Sequence, residues 1–547
     1  MRPDVKDRTG GFFFNFPLVG AGSTATVHWE RWKEGSCCRR GRRATIATLR
    51  TRGGVRCLSR KRILAPLFVV AFGSSASVCA FALLLPVSSG SLRDCGRLCR
   101  APSLSPGPTA RKLTVQAATT MSGGGGPVPV SVTAAFDAGN IECLNADDCT
   151  TGLGVQVKIK DDPFTELEEK AHKQWFYFRA AGSFRHVKSQ FTIINAGDVS
   201  YPEAWPKSTV VYSYDRKEWK RCHATTWSES TGHLTWSLTP EADVVWFAFF
   251  APYSFERHND LVAMCSSSSD AKVEQLGNTL DGRAIDLVVA GSGPLKCWVI
   301  HRQHPGETQA EWFAEGLLER LLAPAWQRDG LASSLLKQMT FYIIPNMCPD
   351  GSVRGHLRTN AIGTNLNREW GDTGDYKAPT LARSPEVFHT LQRMDREGCD
   401  CFVDVHGDET LPYNFISGME GVKNWGPRLQ GLQGIFTNAF ARANSDMQIE
   451  KSYDPDAPGE ANLAICSNQI AARFDCLSVT LEQPYKDCLS NPEPEFGWSP
   501  ARCKKLGASL LDAISYTAPF LRSEHPFWET LPKADEYVRP SEGSASG

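Results

Sequence analysis

From Val128 to about Cys265, apolar and polar positions alternate in short runs such as "GVQVKIK", "KQWFYFRAA", "QFTIINA", "TVVYSYDRKEW", "HLTWSL" and "VVWFAFFAPY", each bounded by turn residues. A period of two is that of a strand with one face buried, and several such runs in succession predict an antiparallel β-sandwich over residues 125–265. Trp175, Trp219, Trp236 and Trp246 fall on these runs. Packing in the core is the favoured reading of them, and a carbohydrate-binding face is the sharper alternative. After "SSSSDAK" the period changes. Continuous apolar runs ("AIDLVVA", "KCWVIH", "MTFYIIPN", "CDCFVDVHG", "FDCLSVTLEQ") alternate with amphipathic stretches around Glu311 to Leu322, Pro385 to Arg396, Gly426 to Ala443 and Ala501 to Leu521. That alternation predicts an α/β domain over residues 266–523, with a mixed, largely parallel sheet buried on both faces, and leaves 524–547 as a tail. In such sheets the ligand sits at the carboxyl ends of the strands.

Composition is that of a globular protein, and a net charge of -1 hides an asymmetry. Residues 1–124 carry 20 of the 59 Lys+Arg and 5 of the 60 Asp+Glu, so this part is +15 and the remainder -16. An acidic body argues against a nucleic-acid partner. The basic part joins arginine clusters such as "CCRRGRR" to an uncharged run over residues 63–87 and a Ser/Arg/Pro-rich stretch. It reads as a leader, mostly without a fold of its own, of the kind that precedes delivery to an organelle such as a plastid. An over-extended start ahead of Met121 is the second reading, with a cytoplasmic protein as its consequence. A membrane anchor through 63–87 is the third, and no membrane role is expected of the body. Six cysteines lie in the leader, and the other twelve, Cys401 and Cys466 among them, lack CxxC spacing and read as reduced, buried core residues.

The candidate chemistry lies where the apolar runs end. His304 and Glu307 follow "KCWVI" across a Pro305-Gly306 turn, His406 follows "CDCFVDV" and Glu482 ends "FDCLSVTL". Two imidazoles and one carboxylate make a three-ligand site for one Zn2+ that leaves a position open, the pattern of a catalytic metal centre. Such a metal needs a base, and Glu482 is the carboxylate at the remaining strand end. His301 lies earlier on its strand with no carboxylate at the matching offset, and Asp408 and Glu409 read as loop acids. Between the first ligands and His406, "RGHLRTNAIGTNLNREW" supplies Arg358, Asn367 and Arg368, groups able to bind a carboxylate or an oxyanion.

"HPGE", "PDGSVRGHLRTNAIGTNLNREW", "DVHGDETLPYNF" and "TLEQPYKD" together resemble the zinc metallocarboxypeptidases, and within them the cytosolic carboxypeptidase-like subfamily. The resemblance covers residues 270 to 520, and the preceding β domain looks like that subfamily's amino-terminal sandwich. It implies that His304, Glu307 and His406 hold zinc, that Glu482 moves the proton, and that Arg358 stabilises the tetrahedral oxyanion. It also implies that Asn367 and Arg368 clamp the carboxylate of a peptide or protein with a free carboxy terminus. Tyr453 is a candidate for the tyrosine that closes over substrate. A preference for terminal glutamate would need a further cation, for which Arg473 and Lys451 are candidates. Where the family usually carries an aspartate that orients the first zinc histidine, this chain has Asn365, and its "GHLR" looks like the bacterial branch. Two other functions stay open: hydrolysis of small N-acyl amino acids on the same fold, and a binding module without activity.

Overall fold

The computed structural model describes residues 126–165, 171–371 and 378–531, with six short strands inside residues 13–83. Contacts divide the chain into Met1–Thr119 and Thr120–Gly547. In the first unit, Phe13–Pro17, Thr24–His28, Thr48–Thr51 and Gly54–Cys57 form an antiparallel sheet, and Phe68–Val69 pairs with Ala82–Leu83. The rest of the leader region, with the remainder of the 63–87 run and Met121, lies outside the described residues. Among the described residues, no helix is long and apolar enough to cross a membrane.

The alternating runs form two five-stranded sheets. One has the order Lys220–Arg221, Val211–Ser213, Val244–Ala248, Tyr177–Gly182, Val130–Thr133. The other runs Thr225–Ser228, His233–Leu238, Ser189–Ile193, Val155–Lys158, Glu142–Asn145. One pair departs from the antiparallel expectation, because Ser189–Ile193 lies parallel to Val155–Lys158. Phe178, Phe191, Trp236 and Phe247 meet in the middle, with the Phe191 and Phe247 rings 4.6 Å apart. Trp175 and Trp219 are buried as well, which leaves Trp246, half-buried beneath Arg179, as the one member of that tryptophan set on a face. Core packing therefore accounts for Trp175, Trp219 and Trp236, while Trp246 lies on the opposite face from its buried neighbours Val245 and Phe247.

The second domain is built on a seven-stranded mixed sheet in the order Ala271–Asn278, Ala284–Gly291, Met339–Ile344, Leu295–His301, Cys401–Val405, Leu477–Glu482, Phe415–Ser417. The four strands from Met339–Ile344 to Leu477–Glu482 are parallel, and the flanking pairs are antiparallel. Cys401–Val405 and Leu477–Glu482 are buried at every position, as expected of central strands covered on both faces. Cys401 and Cys466 are among the buried residues. Helix Gln309–Leu321 crosses helix Pro500–Thr517 at two glycines: a Cβ on Gly316 would lie 2.0 Å from the Lys504 carbonyl oxygen, and one on Gly507 2.0 Å from that of Phe313. Helix Phe255–Ser266 lies on the sandwich side of residue 266 in sequence but packs against the antiparallel edge of this sheet. Its His258 bridges Glu311, at 2.7 Å, and Asp286, at 3.1 Å. Of the tail, Phe527–Thr530 forms a short 3-10 turn against helix Pro427–Ala443.

Candidate active site

Three parallel strands end side by side, and their carboxyl ends deliver the chemistry. Leu295–His301 runs into Arg302, whose left-handed backbone (φ 56°) turns the chain. Its buried guanidinium fixes that turn by donating to the Pro305 carbonyl, at 2.9 Å, and to Glu311 Oε2, at 2.6 Å. Across the Pro305-Gly306 turn the Glu307 N–H donates to the His304 carbonyl, which brings the two side chains to one side. Glu307 Oε1 then lies 2.6 Å from His304 Nδ1 and Oε2 lies 2.8 Å from His406 Nδ1, while the two Nδ1 atoms are 3.2 Å apart. All three side chains are buried, and their ligand atoms lie within 4.8 Å of one another. Two ring nitrogens and a carboxylate facing a single point fit a zinc-type donor set, with each histidine presenting Nδ1.

The far ring nitrogens are also held. His304 Nε2 lies 3.1 Å from Asn365 Oδ1, where the family pattern places an aspartate. His406 Nε2 lies 2.8 Å from Asp404 Oδ2, to which Gln303 also donates. Asp404 was missed in the sequence, although strand period two sets it on the same side as His406. A neutral amide behind one histidine and a carboxylate behind the other make the two ligands unequal. Asn365→Asp is expected to tighten zinc by about 10-fold, since such supporting partners tune affinity 10- to 100-fold. Competition against a chromophoric chelator measures it, and an unchanged affinity would remove Asn365 from that role.

Burial and the nearby Arg358 guanidinium hold His304 down at about 3. Burial opposes protonation of His406 too, but Asp404 and Glu307 raise it well above the usual imidazole range. Glu482, at the end of its strand, is raised well above the usual carboxylate range, by burial first and then by the charges of Glu307, Asp408 and Asp404, with His406 pulling the other way. Its Oε2 is buried and makes no hydrogen bond among the described residues.

His304, Glu307, His406, Glu482, Arg358, Asn367, Arg368 and Tyr453 all line one cavity of about 640 Å³. The Asn367 amide oxygen accepts the Cys466 N–H at 2.8 Å, and the residue lines the cavity. Arg368 Nη1 donates to the Asn367 carbonyl at 2.8 Å. Tyr453 packs edge-on against Phe415, and its hydroxyl donates to Asp408 Oδ2 at 2.5 Å. His301 lies off the cavity, with Nδ1 on the Ile344 carbonyl, and burial lowers it to about 4.

Asp408 and Glu409 lie in the loop after strand Cys401–Val405 and outside the donor group, and both line the cavity. Glu409 is buried and raised well above the usual range by burial, Glu307 and Asp408. Two other placements differ from expectation. Arg473 points outward into a pair with Asp395, and Lys451 is exposed and off the cavity, so neither serves the pocket. Both lie near the site in sequence, but the helix Cys466–Phe474 turns Arg473 to its outer face. Tyr201, from the sandwich, lines the cavity and was not legible in sequence.

Residues 132–250 match the family model described as the cytosolic carboxypeptidase N-terminal domain, and residues 259–453 match that of the zinc carboxypeptidases. An uncharacterised protein of Zymomonas mobilis is 42% identical, over 71% of this chain and 96% of its own length. The crystal structure of a putative carboxypeptidase A from Shewanella denitrificans shares 42% identity, with a TM-score of 0.66 over 71% of this chain and 99% of that one. A Pseudomonas aeruginosa metallo-carboxypeptidase in complex with (2-guanidinoethylmercapto)succinic acid shares 39%, with a TM-score of 0.66 over 72% and 100%.

Proposed function

The chain belongs to the zinc carboxypeptidase family, with the cytosolic carboxypeptidase type of amino-terminal domain, and from that premise we propose that it hydrolyses the last peptide bond of a peptide or protein with a free carboxy terminus. The observation that carries this reading is the presence, in one cavity, of the His304, Glu307 and His406 donor set, Glu482, and the Asn367 and Arg368 donors.

His304, Glu307 and His406 would hold one Zn2+, which when bound supplies a Lewis acid that polarises the scissile carbonyl and acidifies a water. The Asn367 amide and the Arg368 guanidinium bind the terminal carboxylate, limiting cleavage to the last residue. Glu482 takes a proton from the attacking water as the new C–O bond forms. Arg358 donates to the oxygen that gains negative charge. Glu482 returns the proton to the leaving nitrogen as the C–N bond breaks, releasing one amino acid and a shortened chain. Tyr453 would exchange its bond to Asp408 for one to substrate. The new acid gives its remaining proton to the released amine, and the resulting carboxylate must leave a cavity lined by several carboxylates.

Terminal glutamate is the preference that the subfamily resemblance suggests. A second reading is favoured by the lining: the permanently charged cations that line the cavity among the described residues are Arg358 and Arg368, while Glu420, Asp454 and Asp456 line it too. With both guanidiniums engaged on carboxylate and oxyanion, those acids would suit a terminal lysine or arginine. The related Pseudomonas aeruginosa enzyme is bound to a compound that carries a guanidino group and a succinate, consistent with either end of such a pocket.

A peptide library varied only at its last position, incubated with the zinc-loaded protein and read by mass spectrometry, tests this. Single-residue release, stopped by chelation, is expected. Release of glutamate first would support the subfamily preference, and release of lysine or arginine first the acid-lined one. Hydrolysis of N-acyl amino acids but of no peptide would replace the carboxypeptidase reading, and zinc binding without hydrolysis would leave a binding module.

A further inference from the structure

Besides Tyr201 in the cavity, the sandwich grips the segment that carries Arg358 through one carboxylate. Asp162 follows strand Val155–Lys158, and its segment is fixed from within its own domain. The Asn195 side chain accepts the Ile159 N–H at 3.0 Å and donates to the Ile159 carbonyl at 2.9 Å. Asn140 does the same for Lys160, at 3.3 and 3.2 Å, and the Asp162 N–H donates to the His172 carbonyl at 2.7 Å.

From this fixed arm the buried Asp162 carboxylate accepts four hydrogen bonds from the other domain. They come from the N–H groups of Leu357 at 2.7 Å, Arg358 at 2.8 Å and Thr359 at 3.0 Å, and from the Thr359 hydroxyl at 3.0 Å. The gripped stretch follows helix Pro349–Arg354, which ends at the left-handed Gly355. The same stretch holds the metal-ligand turn, since the Leu357 carbonyl accepts the Gly306 N–H at 2.8 Å. A Cβ on Gly306 would lie 2.9 Å from that carbonyl oxygen, so the two segments touch. One carboxylate therefore sets the backbone from which the Arg358 side chain leaves, and an aspartate needed only for domain packing would have no reason to spend every bond on that stretch.

Resting on the carboxypeptidase reading above, we infer that Asp162 is a positioning residue for Arg358, so that the sandwich domain completes the catalytic site. Arg358 acts on charge that exists only in the transition state, so loosening its backbone lowers kcat and spares KM. Loss of one oxyanion donor costs about 10²- to 10³-fold in kcat. Asp162→Asn turns an amide N–H against backbone N–H donors and is expected to lower kcat about 10- to 100-fold. KM should stay within about 2-fold and zinc stoichiometry should not change.

The decisive measurement is the cycle with Arg358→Ala. If Asp162 acts through Arg358, the Asp162→Asn effect on kcat largely vanishes in the Arg358→Ala background, whereas a general structural role would subtract the same factor from both. Should Asp162→Asn fail to fold, Thr359→Ala removes one of the four donors and is expected to lower kcat a few-fold, again only when Arg358 is present. Equal factors in both backgrounds, or a change confined to KM, would overturn the proposal while leaving the carboxypeptidase reading intact. A zinc-loaded wild-type protein that hydrolyses no peptide would overturn both.

Discussion

Glu482→Gln is expected to lower kcat about 10²- to 10⁴-fold, the range that general acid–base groups supply, with KM and zinc content retained. Glutamine keeps the shape of the side chain and its place at the end of strand Leu477–Glu482, but it cannot accept a proton from water and return it to the leaving nitrogen. The carboxylate is buried, its Oε2 has no hydrogen-bond partner among the described residues, and Glu307, Asp408 and Asp404 crowd it with like charge. Those surroundings raise its pKa in the metal-free chain; with zinc bound the carboxylate must still be ionised to take a proton, so kcat/KM of the wild type should drop on the acid side. That limb should be missing from the residual activity of the variant. Because a carboxylate with a raised pKa costs the metal-free fold stability at neutral pH, the variant should melt at the same temperature or higher. A variant retaining more than a tenth of the wild-type kcat would remove Glu482 from the mechanism.

Chelation should stop hydrolysis, and stoichiometric zinc should restore it. The effect should also be visible without any substrate. His304, Glu307 and His406 converge within 4.8 Å in the interior, and a ligand bound only by the folded chain stabilises it by about 2.7 kcal/mol at 100 times its Kd. Zinc should therefore raise Tm of the apo protein measurably. His406→Ala removes one of three ligands and leaves Asp404 and Glu307 without the imidazole between them. The expected result is a fall from one bound zinc to nearly none at micromolar metal, together with a melting temperature that no longer responds to zinc. Since imidazole must give up its proton to bind metal, zinc affinity of the wild type should weaken toward acid pH. A variant that keeps one tightly bound zinc would place the metal elsewhere.

Much of this site was legible because the chemistry lies on local geometry. Strand runs of four to eight apolar residues announce where a buried sheet ends, and "HPGE", "DVHG" and "TLEQ" sit at three such ends. Neighbouring parallel strands in one sheet bring their ends together, so His304, Glu307, His406 and Glu482 could be grouped without knowing any distance. Trp175, Trp219 and Trp236 could likewise be assigned to a core, whereas the period of two sets Trp246 on the face opposite Val245 and Phe247. The antiparallel edge strand Ala271–Asn278 and the three-residue Phe415–Ser417 were not legible: the first alternates little, with burial that never becomes complete, and the second is too short to carry a period.

What the sequence alone determined about this protein is its division into an alternating-strand domain and an α/β domain, the family its motifs resemble, and the identity of the groups that would meet at the strand ends. Each depends on periodicity or spacing within a few tens of residues, where the backbone leaves few conformations open. The tertiary structure alone decided the partners that come from far along the chain. Asp162 meets Arg358 across 196 positions, and Tyr201 enters the cavity from the other domain. Arg473 was turned to solvent by one helix face, and Glu420 was brought inside by the loop after strand Phe415–Ser417. No local pattern encodes such contacts, because they follow from the order in which strands pair and from how the sandwich packs onto the α/β domain in one continuous core, which the whole chain settles at once.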